Sequence, residues 1–200
     1  MPGSSLRRID TLNPLVKTIL AQIKGREFRK VSPRGIETLE TLGLILRVEN
    51  SLVTEENLKE AFPAFSSYMA KARAECIKST VSLEPVISRL DEDPMTRRAF
   101  IYTYDWAWSN HPECILGVQF IIREDSLYTF GFLRASDLGR ALAYDLYALN
   151  DAANTVALEV SKSSKINIEP KEIVLLISSA HIYPNDPETP DWLRGEILER

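Results

Sequence analysis

An α+β fold is what the sequence predicts, and three observations carry the prediction. Segments 97–108, 114–125 and 126–136 are short, dense in β-branched and aromatic residues, and separated only by turn signals. A long stretch of helical spacing follows, running Leu138, Leu142, Leu146, Leu149, Ala153, Val156, Val160. Strands in a run with helices set apart do not fit alternating βα units.

Taken in order, "LNPLVKTILAQIK" (12–24) opens on Asn-Pro and places Leu15, Ile19 and Ile23 one turn apart, which predicts an amphipathic first helix stopped by Gly25. The loop "RKVSPRG" carries Arg34 at its tip, and "IETLETLGLILRVEN" then reads as a strand. Residues 54–79 read as helix with Thr54 at the N-cap, kinked or divided by Pro63. "LDEDP" (90–94) reads as a turn before the three strand segments. Ser136 or Asp137 caps the long helix, which continues to about Ser161. "EIVLLISSAHIY" (172–183) reads as a buried strand, and "PNDPETPDWLRGEILER" as a polar, proline-broken tail. No repeat or linker divides the chain, so residues 1–200 are expected to form one domain.

With 44% hydrophobic residues among 200, the chain has ample material for a core. A net charge of -4 argues against a surface built to grip a nucleic-acid backbone, while leaving room for a local basic pocket. No apolar run approaches a membrane span and the first ten residues lack the apolar centre of a secretion signal, so no membrane partner and a cytoplasmic location are expected. Cys76 and Cys114 form no C-x-x-C pair and no His/Cys cluster, so no metal site is expected. The glycine-rich phosphate loops are missing too, which leaves any phosphate to side chains.

Singly, the chemically able residues have ordinary explanations. Cys114 suits a small core position, His181 sits within an apolar strand, and "TRRAF" suits a solvated strand start. Asp145 falls where the helix stripe calls for a leucine, and an arginine elsewhere in the core would account for it. Together, however, "TRR", "PEC" five residues before "QF", "RASD", the helix aspartate and "HIY" form an ordered pattern. In that pattern, over about residues 30–186, the chain resembles the thymidylate synthase and pyrimidine hydroxymethylase family.

The resemblance implies a thymidylate synthase-like mixed β-sheet with a long central helix, dimerising through the sheet. It implies that Cys114 adds to C6 of a pyrimidine nucleotide, so that C5 attacks a one-carbon unit carried by 5,10-methylenetetrahydrofolate or a related methylene-tetrahydropterin. A thiolate does this work, and nearby arginines favour it. Arg34 and Arg134 match phosphate ligands of the same subunit, while Arg97 and Arg98 match the pair donated across the dimer interface, where guanidinium forks fit phosphate oxygens. Asp137, with Ser136 beside it, matches the aspartate next to the base. His181 and Tyr183 match the pair on the sugar hydroxyl, and Gln119 a supporting strand residue.

At the place of Asp145 the synthases carry asparagine, which suits uracil. Cytosine presents an acceptor at N3 and a donor at N4, and a carboxyl group sharing one proton with N3 satisfies both. Asp145 therefore points to cytidylate and to the hydroxymethylase branch, giving 5-hydroxymethylcytidylate from CMP or dCMP. Four departures qualify the match. Ala135 replaces a phosphate-binding serine and leaves space for a ribose 2'-OH, and Ile115 replaces a histidine. The glutamate general base has no clean counterpart: alignment places Ala64 near it, Glu60 is the first candidate and Glu75 the second. The short tail after "HIYPND" points to an open site that admits water rather than hydride. A small thymidylate synthase acting on dUMP, or a nucleotide-binding relative without catalysis, are the alternatives.

Overall fold

Burial follows the predicted periods closely enough to build the architecture from them. The computed structural model describes residues 13–80, 82–103 and 114–198; the side chains of Arg34 and of residues 76–80 lie outside it. Also outside are the predicted strand beyond Thr103 and the "SNHPE" turn.

Helix α1 (Pro14–Ile23) is capped by the Asn13 side chain, which accepts from the Leu15 N–H at 2.8 Å, and it buries Leu15, Val16, Ile19 and Ile23. Strands β1 (Arg29–Val31) and β2 (Thr38–Glu49) follow. The Thr54 hydroxyl accepts from the Asn57 N–H and starts α2 (Glu55–Ala61). Pro63 then separates α2 from α3 (Ser67–Thr80), so the predicted segment is two helices. Helix α4 (Glu84–Glu92) corrects the reading of 90–94, because the turn begins only after Glu92. Strands β3 (Phe100–Tyr102), β4 (Ile115–Arg123) and β5 (Ser126–Asp137) lead to α5 (Ala141–Ser164), then β6 (Glu169–Ile182) and α6 (Asp191–Ile197). Helix α6 corrects the reading of the tail. Its approach is fixed by Trp192, whose Nε1 donates to the Ala61 carbonyl at 2.6 Å while its ring meets Phe62 edge-on.

The strands form one mixed sheet in the order β1-β2-β6-β5-β4-β3, antiparallel except for β5 beside β6. Helix α5 crosses between those two parallel strands and covers one face, with α3 and α4 packed against it and α1 on β2. Its buried stripe includes Leu142, Leu146, Leu149, Ala153, Val156 and Val160, all predicted.

A kink shared by four strands turns this sheet into a site. Along β5 the buried set is Leu127, Thr129, Gly131, Leu133, and it resumes out of phase at Ser136. Along β6, Ile173, Leu175 and Ile177 give way to Ala180 and Ile182. In β2, Leu44, Leu46 and Val48 are out of phase with Thr41 on the far side of Gly43, whose φ of 64° marks the bend. In β4 the break falls between Gly117 and Val118, close to a register shift at Ile115/Gly117. The breaks in β2, β6 and β5 are level, because Leu133 is paired with Ile177 and Ile177 with Leu44, and the β4 break lies just short of them, opposite Gly131 and Phe132. Past the kink, side chains that alternation would aim at the opposite face point toward α5 instead.

Candidate active site

The kink also explains why the strand, not the helix, carries the "RASD" segment. Ser136 and Asp137 are the last residues of β5, and Arg140 occupies the N-cap position of α5 without a side-chain cap bond. This corrects the expectation that Ser136 or Asp137 caps the helix. Both are held by the neighbouring parallel strand, Ser136 opposite Ala180 and Asp137 opposite His181.

Cys114 immediately precedes β4 and is half-buried. Its carbonyl accepts from the Arg134 N–H at 2.9 Å, and Arg134 Nη2 lies 3.9 Å from its sulfur. Pairing across the strands thus places a guanidinium on the thiol, which favours the nucleophilic thiolate.

Asp145 lies in the second turn of α5 and is fully buried. Arg73 of α3 donates through Nη2 to its Oδ1 at 2.9 Å, and the Ser136 hydroxyl donates to its Oδ2 at 3.1 Å. Burial pushes this carboxyl up from the ordinary carboxylate range, while Arg73 and Ser136 pull against that. The arginine partner allowed for by the sequence is therefore present, and the acid is not waiting for a ligand to complete its first hydrogen bonds.

Asp137 bends back so that its Oδ1 accepts from the Gly139 N–H at 2.9 Å. Burial pushes this carboxyl up as well; the Gly139 N–H and nearby His181 oppose the shift. The Leu138 N–H donates to the His181 carbonyl at 2.8 Å, and the His181 ring meets Tyr183 edge-on with centroids 5.4 Å apart. Asp137, His181 and Tyr183 thus come together at one end of the parallel pair.

Arg97 and Arg98 do not join them. They precede β3, beside Gln119, whose Nε2 donates to the Arg97 carbonyl at 2.8 Å. Gln119 stands five residues beyond Cys114 on β4, about 17 Å away in extended chain, so the backbone of the pair is set well along the strand from its own chain's thiol. Arg34 falls in a short 3-10 turn, Pro33–Gly35, ahead of β2. Its side chain, like that of Cys76, is outside the described residues.

Glu60 is exposed and accepts from Asn13 Nδ2 at 2.9 Å, which makes it part of the joint between α1 and α2. Its described contact is with that joint rather than with the Cys114 or Asp145 groups. Ala64, by contrast, touches α5: its carbonyl accepts from the Tyr144 hydroxyl, whose oxygen accepts from the Ser66 N–H. Tyr144 so pins the break between α2 and α3 beside Asp145. Sequence reasoning missed both Tyr144 and Arg73. The usable signal was Asp145 itself, since a carboxylate in a leucine stripe requires a donor; its source lies 72 positions away on another helix.

Comparison with known proteins decides what this arrangement belongs to. The family model described as Thymidylate synthase matches residues 53–192, most of the chain. The chain belongs to the thymidylate synthase family. A protein of Methanosarcina mazei named "Putative thymidylate synthase" is 32% identical over 108 residues, covering 52% of this chain and 46% of that one. One from Methanococcoides burtonii with the same name is 31% identical over the same coverage. The chain thus spans less than half the length of these curated relatives. The crystal structure of thymidylate synthase from T4 phage shares the fold, with a TM-score of 0.59 and 16% identity over 92% of this chain and 79% of that one. Thymidylate synthases take their carbon from methylenetetrahydrofolate.

Proposed function

We propose that this family member transfers a one-carbon unit to C5 of cytidylate, CMP or dCMP, and releases 5-hydroxymethylcytidylate. The observation that carries the reading is the Cys114–Arg134 contact at one end of the kinked sheet, with Ser136, Asp137 and Asp145 gathered beside it. In the proposed chemistry the Cys114 thiolate adds to C6, and C5 becomes the nucleophile. The methylene-tetrahydropterin supplies a carbon at the formaldehyde level. Met69 lies one helical turn before Arg73 on α3, and with Tyr68 it exposes apolar and aromatic surface suited to a planar pterin. After C5 loses its proton and the tetrahydropterin departs unoxidised, water adds to the exocyclic methylene and the thiolate leaves C6. The balance is one CH2O gained by the nucleotide.

The phosphate would be held by Arg34 and Arg134, with Arg97 and Arg98 supplied by a second copy of the chain, and the sugar by His181 and Tyr183. Base choice rests on Asp145, and alanine rather than serine at position 135 favours CMP over dCMP. The C5 proton needs an acceptor, a role for Glu60 or for Glu75 on α3; kcat of Glu60→Gln against that of Glu75→Gln assigns it. The long apolar face of the sheet opposite α5, where Ile45, Leu176 and Phe132 line up across three strands, suits the dimer contact.

A second reading, methylation of dUMP, is favoured by the name that the methanogen relatives carry. Incubation with methylenetetrahydrofolate and each of CMP, dCMP and dUMP, followed by product mass, tests both. A gain of CH2O on cytidylate is the expected result; a gain of CH2 on dUMP alone overturns it. Tritium release from C5 separates either reaction from binding without catalysis, because exchange requires addition of the thiol.

A further inference from the structure

The buried acid and its partner differ in what they show to the outside. Asp145 has no exposed side-chain surface, whereas the Arg73 side chain is 32% exposed. A base edge approaching this pair therefore meets the arginine side chain before the carboxylate. Of the donors on that guanidinium, Nη2 is committed to Asp145 Oδ1, and Nε is buried with no hydrogen-bond partner among the described residues. Nη1 makes no hydrogen bond among the described residues and is not one of their buried unpartnered atoms, so it forms the open end of the group together with the second Nη2 hydrogen. The carboxylate is in turn fixed from its other oxygen by Ser136 at 3.1 Å, so Arg73 is anchored on a rigid support rather than on a mobile one.

Resting on the cytidylate reading above, we propose that Arg73, oriented by Asp145, is the residue that touches the base and selects cytosine over uracil. The chemistry is that of a two-pronged donor. Cytosine presents two adjacent acceptors, N3 and O2, which the Nη1 and second Nη2 N–H groups can meet as a fork. Uracil carries a hydrogen at N3 and sets a donor against a donor. In this arrangement no proton need be shared between Asp145 and N3, and the acid serves as a positioning residue for the arginine. An aspartate at position 145 is then required because asparagine would hold the guanidinium less firmly.

The test is calorimetric titration of the full chain with CMP, dCMP, dUMP and ribose 5-phosphate, in the parent and in Arg73→Met and Arg73→Lys. Ribose 5-phosphate carries the phosphate and sugar but no base, so a merely structural loss weakens it as much as the nucleotides. The expected result is a parent that prefers cytidylate and an Arg73→Met chain that binds it about 10- to 100-fold more weakly, with ribose 5-phosphate unchanged. Arg73→Lys keeps the charge on Asp145 and the fold but loses the fork, and its preference for cytidylate over dUMP should collapse in the same way. Should Arg73→Met fail to fold, the lysine variant decides alone. A parent that prefers dUMP overturns the cytidylate reading and this inference with it. A parent that prefers cytidylate, with variants that retain the ratio or lose ribose 5-phosphate equally, overturns only the role of Arg73.

Discussion

Arg134 meets Cys114 twice, through its backbone N–H on the cysteine carbonyl at 2.9 Å and through Nη2 at 3.9 Å from the sulfur. The first contact belongs to the pairing of β5 with the approach to β4 and places the root of the arginine side chain beside the cysteine, within reach of its sulfur. A positive charge held on a sulfur favours the thiolate. Arg134→Met should slow alkylation of Cys114 by iodoacetamide at neutral pH about tenfold, with Arg134→Lys intermediate. Reading the reaction peptide by peptide keeps Cys76 as an internal reference, and an unchanged Cys114 rate would remove the electrostatic role of Arg134.

The Arg73–Asp145 pair makes a stability prediction separate from its role toward the base. Removing the arginine leaves a buried carboxylate with only the Ser136 hydroxyl, and Arg73→Met should cost roughly 2 to 4 kcal/mol in urea unfolding. Because position 145 falls in a leucine stripe, Asp145→Leu placed on top of it should recover most of that loss. A double variant no better than Arg73→Met would show that the pair is not what fixes α3 to α5.

Much of this molecule is legible in its sequence, and the parts that are not share a cause. The stripe from Leu142 to Val160 and the first helix follow from one face meeting one core, which local spacing records. The strand cores follow in the same way. The kink does not, because its signal is spread over four strands, around Gly43, Gly117, Arg134 and Ser178, and only their pairing joins these into one bend. Ser136 therefore reads as a helix cap when it is a strand residue turned inward. Helix α6 was hidden because Pro187 and Pro190 dominate its surroundings, although Trp192 supplies the anchor. Arg73 is legible only as a need, that of Asp145 for a donor.

Asp137 should make stability depend on pH in a direction its burial fixes. Burial raises this carboxyl above its ordinary value of 3.8 in the folded chain, with Asp186 adding to the shift and Gly139, His181 and Arg140 opposing it. Between that value and the raised one the folded form retains a proton that the unfolded form has lost, so stability falls as pH rises through the window. Asp137→Asn keeps an oxygen for the Gly139 N–H without the charge. Thermal unfolding across the acid range should show Asp137→Asn gaining on the parent as pH climbs from 3.8, and a constant difference would contradict the assignment.

Gly117 tests how β3, and with it Arg97 and Arg98, is seated. A Cβ at this position would stand 2.8 Å from the Ile101 carbonyl oxygen and 2.6 Å from the Phe100 ring. The ring can turn aside, but the carbonyl belongs to the paired strand. Gly117→Ala should cost about 1 to 3 kcal/mol and release the β3 amides to hydrogen exchange, while leaving the β5–β6 ladder protected. Equal protection in both would mean that β3 yields without unpairing.

The distance between Arg98 and Cys114 makes the proposed dimer testable by complementation. Within one chain the arginine pair precedes β3 and lies along β4 away from the thiol, and in the proposed site the arginines come from a second copy. Phe132 sits in the row Ile45, Leu176, Phe132 on the open face, and Phe132→Asp puts a charge at the centre of the proposed contact. Sedimentation should show that variant as a monomer with weakened nucleotide binding. Arg98→Ala should weaken binding at unchanged mass. Mixing inactive Cys114→Ser with inactive Arg97→Ala/Arg98→Ala chains and allowing exchange should then restore activity to about a quarter of the sites, those pairing an intact thiol with a neighbour's intact arginines. No recovery on mixing, with exchange verified by mass, would place the arginines in service of their own chain and require β3 to move.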